Sequence, residues 1–304
     1  MNEIRISSLS CGGGNGVAAS MEEAAAMISE AAYDKPDIIC LPETFQYIGL
    51  TKEQKHEAAE EIGGPVTSQA SELARMHHVN LLMPVYEHKV GRVHNSMVWF
   101  DREGSVIGVY RKTYPTDYEM RDDITPGPLD FDVFHTEFGP IGCAICFDLC
   151  YREVIERIAE QDAKLAFFPS MFQGLDLMQA WAKLYGMYFV SCAGEPYSAA
   201  VNPLGHPIIR PWDHSSIMTI DVNLDYAIIH GDYNRDIFPA VKAKYGPMVD
   251  IDYIHIESAA MLSSRLSDVG AMDIVNEFEM ELQTDYYSRS ARMRIDMLNH
   301  AADL

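Results

Sequence analysis

The sequence predicts an α/β fold built from layers, with a mixed system of parallel and antiparallel strands. Short apolar runs, such as residues 37–41 and 165–168, alternate with segments whose apolar residues recur at helical spacing. The turn-forming residues 101–104 separate two apolar runs and so predict an antiparallel hairpin within this alternation. Apolar residues make up 48% of the 304-residue chain, which is enough for a sizeable core. Together these features favour a layered α/β domain.

The first half of the chain begins with a strand, a glycine-rich loop and a helix. Ser20 and Glu23 have the spacing of a capping box, so we expect the first helix to begin there. Pro65 is typical of the first turn of a second helix, which we expect to end near Met76. The predicted strands are residues 4–9, 37–41, 80–85, 94–100 and 106–110.

The second half repeats the alternation and then changes character. Its predicted elements are a strand at 141–146, a helix from about 151, a strand at 165–168, a helix at 175–186, a strand at 188–192 and pairs of short strands around 202–205 and 213–215. From Met272 onward, apolar residues recur at helical spacing, with acids before arginines. We therefore predict a main domain at 1–267 and a helical extension at 268–304 that packs on the protein or contacts a partner subunit.

Charge and composition exclude several classes of function. Forty-five acidic residues stand against 23 basic ones, for a formal net charge of −22. The resulting field repels nucleic acids and anionic membrane surfaces. No apolar stretch approaches the length of a membrane span, and no apolar run follows a basic start as in a signal peptide. With six cysteines and no such signal, we expect reduced thiols and a cytoplasmic protein.

Three of the cysteines, Cys143, Cys146 and Cys150, have spacing that raises the question of a metal site. Side chains three residues apart on a strand point to opposite faces, so Cys143 and Cys146 are expected to diverge. A tetrahedral site also needs a fourth ligand, which the sequence does not supply nearby. We therefore expect no metal.

Three reactive side chains follow predicted apolar strands, where open α/β sheets place their sites. Glu43 follows strand 37–41 and has the chemistry of a general base. Lys112 follows strand 106–110 and could hold negative charge developing on an oxygen. Cys146 ends strand 141–146 just before a predicted helix, whose N-terminus would favour the thiolate. The N–H of Phe147 would then be free to donate to an oxyanion.

The segments around these residues resemble those of the nitrilase superfamily, the carbon–nitrogen hydrolases. The resemblance runs in family order from residue 5 to about residue 220. It is carried by DIICLPETF, FDREGSVIGVYRKTYP and GPIGCAICFDLCYREV, with further agreement in LAFFPSMF and VNPLGHPI.

The resemblance implies a four-layer αββα sandwich and a Glu–Lys–Cys triad at Glu43, Lys112 and Cys146. It also implies a second glutamate after the lysine, a place that Glu119 fits. The reaction it implies is hydrolysis of a small amide through a Cys146 thioester, with no cofactor, in a homodimer or higher homo-oligomer.

The sequence leaves the substrate open. The residues after Cys146 resemble the amidase-like branch, and the Trp-Glu pair typical of true nitrilases is absent. Leu149 and Cys150 stand where carbamoylases of amino acids often have arginines, although Arg152 could partly replace them. Hydrolysis of an N-carbamoyl (ureido) compound, nitrile hydrolysis and a non-catalytic binding protein are the alternatives. Two acids against one base in the site favour neutral or cationic amides.

Other positions bear on the pocket and on the subfamily. Candidate pocket walls are Tyr47, Tyr118, Met171 and Phe172. Tyr114 and Glu195 differ from the residues that the family commonly has there, His and Asn.

Overall fold

Two units make up the chain in the computed structural model, which describes residues 3–194, 198–209, 216–254 and 258–302. The larger unit spans Ile4–Val222, and the smaller one begins at Asn223. The expected division at residue 267 therefore lies elsewhere, because residues 226–264 form a sheet of their own that shares a core with the following helix. The second predicted pair of short strands, around 213–215, lies outside the described residues.

The larger unit contains most of the predicted alternation of strands and helices. In chain order its elements are β1 (Glu3–Leu9), α1 (Val17–Ala31), β2 (Ile38–Cys40), α2 (Lys52–Ala58), α3 (Pro65–His77), β3 (Asn80–Lys89), β4 (Arg92–Phe100), β5 (Val106–Arg111), α4 (Asp117–Arg121), β6 (Phe134–Thr136), β7 (Gly139–Cys143), α5 (Arg152–Ala159), β8 (Leu165–Ser170), α6 (Leu175–Tyr185), β9 (Tyr188–Ala193), β10 (Ala200–Val201), β11 (Pro207–Ile209) and β12 (Ile217–Asn223). A short 3-10 helix, Cys146–Cys150, lies between β7 and α5.

The strands form two six-stranded sheets, with the orders β12-β1-β2-β3-β4-β5 and β11-β10-β9-β8-β7-β6. Each sheet has a parallel part, β1-β2-β3 in the first and β7-β8-β9 in the second. Antiparallel strands continue each sheet from there, including the predicted hairpin of β4 and β5. The mixed sheet system is therefore confirmed.

The two sheets pack face to face between helices. The Trp99 ring on β4 lies 5.2 Å from the Phe134 ring and 5.9 Å from the Phe167 ring, both on the second sheet. On the outer face of the first sheet, α1 and α3 pack against side chains such as Ile39. Outside the second sheet, α5 packs so closely that a Cβ on Gly142 would lie 2.3 Å from Ile158. These layers confirm the αββα sandwich.

Helix α1 begins earlier than its predicted capping box. It starts at Val17 after Gly16, whose φ of +87° turns the glycine-rich loop directly into the helix. Ser20 lies within the first turn, where its N–H bonds to the Gly16 carbonyl. The Ser20 side chain is buried instead of capping the helix. The predicted start of α1 was wrong because the backbone conformation of Gly16 begins the helix, and a pattern of capping side chains does not reveal such a turn.

The smaller unit is built on a three-stranded antiparallel sheet. Its elements are β13 (Tyr226–His230), α7 (Phe238–Tyr245), β14 (Val249–Ile254), β15 (Ala259–Ser264), α8 (Ala271–Glu277) and α9 (Gln283–Ala302), and its strand order is β13-β15-β14. Its core joins Ile229 and Leu262 of the sheet to Ile274 of α8. Glu279, with a φ of +52°, separates α8 from α9, so the C-terminal segment forms two helices.

Candidate active site

One end of the first sheet brings together the residues around Lys112. Glu43 follows the parallel strand β2, and Lys112 follows β5 directly. Between them, Asn95 near the start of β4 accepts a hydrogen bond from the Lys112 N–H at 2.8 Å. The next residue after Glu43, Thr44, has a φ of +44°, a conformation that non-glycine residues adopt rarely and mostly at sites under constraint.

Lys112 lies between two carboxylates. Its Nζ is 2.7 Å from Glu43 Oε1 and 2.7 Å from Glu119 Oε2. Its side chain is only 1% exposed, so the ammonium depends on these partners. Burial disfavours the charged form, but the negative charges of Glu43, Cys146 and Glu119 outweigh it and raise the pKa of Lys112. Lys112 is therefore a fixed positive charge in a site with little solvent.

Helix α4 delivers Glu119 to the lysine. Thr116 accepts a hydrogen bond from the Glu119 N–H, and Glu119 Oε2 accepts one from the Thr116 N–H at 2.8 Å, which makes a capping box. Burial acts against ionisation, but the charge of Lys112 and hydrogen bonds from Lys112, Asn95 and Thr116 lower the pKa of the Glu119 carboxyl. Helix α4 thus holds the Glu119 carboxylate 2.7 Å from the Lys112 ammonium.

Asn95 is a site residue that the sequence reasoning did not find. Its Nδ2 donates to Glu43 Oε1 and to Glu119 Oε1, both at 2.8 Å. The Asn95 side chain is 1% exposed. An asparagine near the start of a strand has no reactive side chain that would mark it in the sequence. It lies between the two acids only because of the pairing register of β3, β4 and β5.

Cys146 lies at the end of the second sheet, on a turn that differs from the expected one. Strand β7 ends at Cys143, three residues earlier, and Cys146 opens the 3-10 helix with a φ of +48°. Burial, followed by the negative charge of Glu43, raises the pKa of the Cys146 thiol to about 12, although Lys112, the Met171 backbone and Ser170 act in the opposite direction. Burial, the largest of these effects, therefore acts against the thiolate form, which the following helix is expected to favour.

Asp148 holds the Cys146 turn and the segment after Lys112 together. Its Oδ2 accepts from the Ile145 N–H at 3.0 Å and from the Tyr110 hydroxyl at 2.8 Å, and its Oδ1 accepts from the Tyr114 N–H at 2.7 Å. Complete burial raises the pKa of the Asp148 carboxyl to about 7. These bonds connect the two sheets at the end where Lys112 and Cys146 lie.

The remaining predicted residues occupy different environments. Phe147 directly follows Cys146 in the 3-10 helix and is half-buried. Met171 and Phe172 follow β8 and are 47% and 37% exposed. Tyr118 is 77% exposed on α4, whereas Tyr47 is 1% exposed and packs in a core cluster with Tyr86. The structure therefore places Tyr47 in the core and brings Met171 next to Cys146.

The three closely spaced cysteines differ in their surroundings. Cys143 is buried, Cys146 is partly exposed and Cys150 is exposed. Within the described ranges, no group of three or more histidine, cysteine or acidic side chains could hold a metal ion. Over the same residues, no helix combines the length and the apolar character needed to cross a membrane.

A comparison against known protein families gives a match over most of the chain. Residues 15–224, more than half of the chain, match the carbon–nitrogen hydrolase family. The chain belongs to this family. Carbon–nitrogen hydrolases are nitrilase-superfamily proteins, and the solved structure of Nit3 from Saccharomyces cerevisiae, a member of branch 10 of that superfamily, superposes with a TM-score of 0.65 at 18% identity. This likeness covers 81% of the present chain and 95% of Nit3, and it concerns the fold.

Two relatives of the chain are named as amidases. An N-carbamoylputrescine amidase of Arabidopsis thaliana is 26% identical over 195 residues, which cover 60% of this chain and 65% of that protein. An omega-amidase, NIT2, of Xenopus tropicalis is 24% identical over 233 residues, covering 68% of this chain and 84% of that one. The chain thus spans less than two thirds of the length of the Arabidopsis protein.

Proposed function

We propose that the protein hydrolyses the carbon–nitrogen bond of a small amide through a thioester on Cys146. The observation that carries this proposal is the buried Lys112 ammonium, 2.7 Å from Glu43 and from Glu119, whose charge acts on the Cys146 thiol. A thiol, a carboxylate base and a fixed cation are the groups that acyl transfer to cysteine requires.

In the first half of the reaction, Glu43 removes the thiol proton as Cys146 attacks the carbonyl carbon. Lys112 and Asn95 both contact Glu43 Oε1, so we assign the proton transfer to Oε2. The π electrons of the carbonyl move to its oxygen, and Lys112 with the Phe147 N–H stabilises the resulting oxyanion. When the oxyanion collapses, the C–N bond breaks, Glu43 returns the proton to nitrogen and ammonia or an amine leaves.

In the second half, water cleaves the thioester. Glu43 takes a proton from water as its oxygen attacks the acyl carbon, and the same oxyanion contacts serve again. Collapse breaks the C–S bond, the carboxylic acid leaves and the proton on Glu43 restores the Cys146 thiol. Because this thiol has a raised pKa, a base is needed at the moment of attack. Glu119 positions Lys112 or the substrate.

The charges around the site favour a neutral or cationic amide. Lys112 is occupied by two carboxylates. Arg152, which the sequence offers as a partner for a substrate carboxylate, instead pairs with Glu156 at 2.5 Å and contacts the Tyr185 hydroxyl. A substrate that carries its own carboxylate would therefore lack a free cationic partner among these groups.

Hydrolysis of an N-carbamoyl compound is the second candidate. Its support is the Arabidopsis relative, which is named for a substrate of this kind. The same attack on a ureido carbonyl would release ammonia, carbon dioxide and an amine. A cationic ureido-alkylamine also agrees with the acidic balance of the site.

A substrate panel with a cysteine variant tests the proposed function. Purified protein is assayed for ammonia release from a short neutral amide, an aminoalkyl amide, a ureido-alkylamine, a ureido acid and a nitrile. We expect turnover of at least one of the first three, and complete loss in Cys146→Ala. Cys150→Ala removes an exposed thiol four residues away and is expected to keep full activity. Hydrolysis by Cys146→Ala at the wild-type rate would overturn the mechanism.

We also propose that the protein assembles as a homodimer or higher homo-oligomer in a reducing compartment, the cytoplasm. Met293, Ile295, Met297 and Leu298 on α9 are each more than half exposed, which is unusual for such side chains on a single helix. The six cysteines are free thiols, as reducing compartments favour.

A further inference from the structure

Asn95 contacts both carboxylates of the site with one amide group. The Asn95 Nδ2 lies 2.8 Å from Glu43 Oε1 and 2.8 Å from Glu119 Oε1. Lys112 is 2.7 Å from each of the same two side chains. The two acids are therefore joined twice, once through a cation and once through a neutral amide.

The Asn95 amide adds hydrogen-bond donors for the two carboxylates without adding charge. Two carboxylates around one ammonium, in a region with little water, need hydrogen-bond donors beyond that ammonium. A primary amide has two N–H bonds, so it can serve both acids without changing the net charge. A serine or threonine hydroxyl has only one proton and could serve one acid at a time.

The other end of the amide supports a role in the site. Across the described part of the chain, the buried Asn95 Oδ1 has no hydrogen-bond partner. An unpaired buried carbonyl is unfavourable, so the orientation of the Asn95 amide is set by its hydrogen bonds to the two carboxylates. The backbone carbonyl of Asn95 also accepts from the Lys112 N–H at 2.8 Å.

We propose that Asn95 is a positioning residue, which holds the Glu43 and Glu119 carboxylates on either side of Lys112 so that Glu43 can accept the Cys146 proton. This role rests on the proposed function of the site. Asn95 does not touch the reacting atoms and acts through the two acids. Without the Asn95 donors, the Glu43 carboxylate would lose one of the two hydrogen bonds that fix its Oε1.

The test uses Asn95→Asp, which has the same shape but replaces the donors with acceptors, and Asn95→Ser, which keeps one donor. In a Cys150→Ser background, mass spectrometry follows the alkylation of Cys146 by iodoacetamide from acidic to alkaline pH, and ammonia release follows hydrolysis. For Asn95→Asp we expect kcat/KM to fall about 10- to 100-fold, the effect of one charge-assisted hydrogen bond. In Asn95→Asp the added negative charge moves the acid limb and the alkylation profile to higher pH. Asn95→Ser adds no charge and loses one donor, so only its acid limb moves to higher pH, and by less.

Asn80→Asp is the matched control. Asn80 is also buried, on the neighbouring strand β3, and its Nδ2 donates to Glu137 Oε1 at 2.9 Å. It lies six residues along β3 from the partner of Asn95, or about 20 Å at the rise of a strand. We expect this variant to lose stability while both pH profiles stay at their wild-type positions.

The outcomes separate this proposal from the proposed function. Unchanged pH profiles in folded Asn95→Asp and Asn95→Ser overturn the role of Asn95, even where Cys146→Ala confirms the thiol mechanism. A shifted alkylation profile supports it, even where the wild-type protein hydrolyses no member of the panel. If Asn95→Asp does not fold, Asn95→Ser alone decides, and a wild-type acid limb in that variant contradicts the proposal.

Discussion

The charge of Glu43 has two opposite effects on Cys146. As a base it removes the thiol proton, but as a nearby anion it contributes, after burial, to the raised pKa of the thiol. Replacing it separates these effects. Glu43→Gln should lower amide hydrolysis by about 10²- to 10⁴-fold, the usual contribution of a general base. The same change removes a negative charge beside the sulfur, so the pH profile of Cys146 alkylation should move to lower pH.

The measurement compares ammonia release with iodoacetamide alkylation in wild type and Glu43→Gln. Glu60→Gln is a suitable control, since Glu60 is also buried but accepts hydrogen bonds from Val66 and Thr67 at the start of α3. If hydrolysis persists in Glu43→Gln, Glu43 is not the base. If alkylation also slows at every pH, the substitution has disturbed the site and not only its charge.

At this scale, a sequence pattern indicates candidate reactive residues more readily than the residues that hold them. Glu43, Lys112 and Cys146 combine a reactive side chain with the end of an apolar run, which is visible in one dimension. Asn95 could not be found this way, because its role depends on the register of β4 with its neighbours. The raised pKa of the Cys146 thiol also depends on burial, which no local pattern gives.

Helix α4 is short, yet it has a capping box that includes a site residue. Thr116 binds the N–H of Glu119, and the Glu119 carboxylate binds back while also contacting Lys112. Thr116→Ala should cost about 1 kcal/mol of stability, as for other caps. Because the same bonds aim Glu119 at Lys112, we also expect a fall in kcat/KM of about 10-fold, one bond to a charged group.

Helix α2 supplies the control for this prediction. Thr51 and Gln54 form a capping box of the same geometry that includes no residue of the site. Thr51→Ala should therefore lower the melting temperature to a similar extent while kcat/KM stays at the wild-type value. Equal kinetic effects from both substitutions would show that Glu119 does not depend on its cap.

The elements themselves were mostly predictable because apolar periodicity reflects burial in two opposed sheets. The strands β3, β4 and β5 lie where apolar runs were found, and Pro65 opens α3 as expected. The start of α1 was not predictable from side chains, since Gly16 supplies the turn. The break between α8 and α9 occurs at Glu279, a residue type that carries no turn signal.

For the whole molecule, the decisive difference from the sequence-based expectation is where the C-terminal unit begins. The predicted extension at 268–304 would have been removable as a separate piece. In the structure, Ala271, Ile274 and Val275 of α8 are buried in the core of the smaller unit. Removal of each such side chain costs up to several kcal/mol, so a chain ending at residue 267 should lose the fold of this unit.

A shorter truncation tests assembly without this damage. Residues 291–300 of α9 are all exposed, whereas the earlier part is held by the stacking of Tyr286 on His230 and by the ion pair of Arg289 with Glu281. A chain ending at residue 290 should keep its melting temperature, because no described side chain that is lost belongs to a core. If α9 joins a second copy, this chain should sediment as a smaller species than the full protein.

The point variant Met297→Glu checks the same surface in the full-length chain. Met297 is 73% exposed, so a charge there should leave folding intact and weaken only an apolar contact between copies. Sedimentation velocity at several protein concentrations should show the assembly shifted toward the smaller species. An unchanged distribution in both the truncated chain and Met297→Glu would exclude the end of α9 from the interface.

The net charge of −22 opposes assembly, because like-charged copies repel. Added salt should therefore strengthen whatever assembly the apolar face supports.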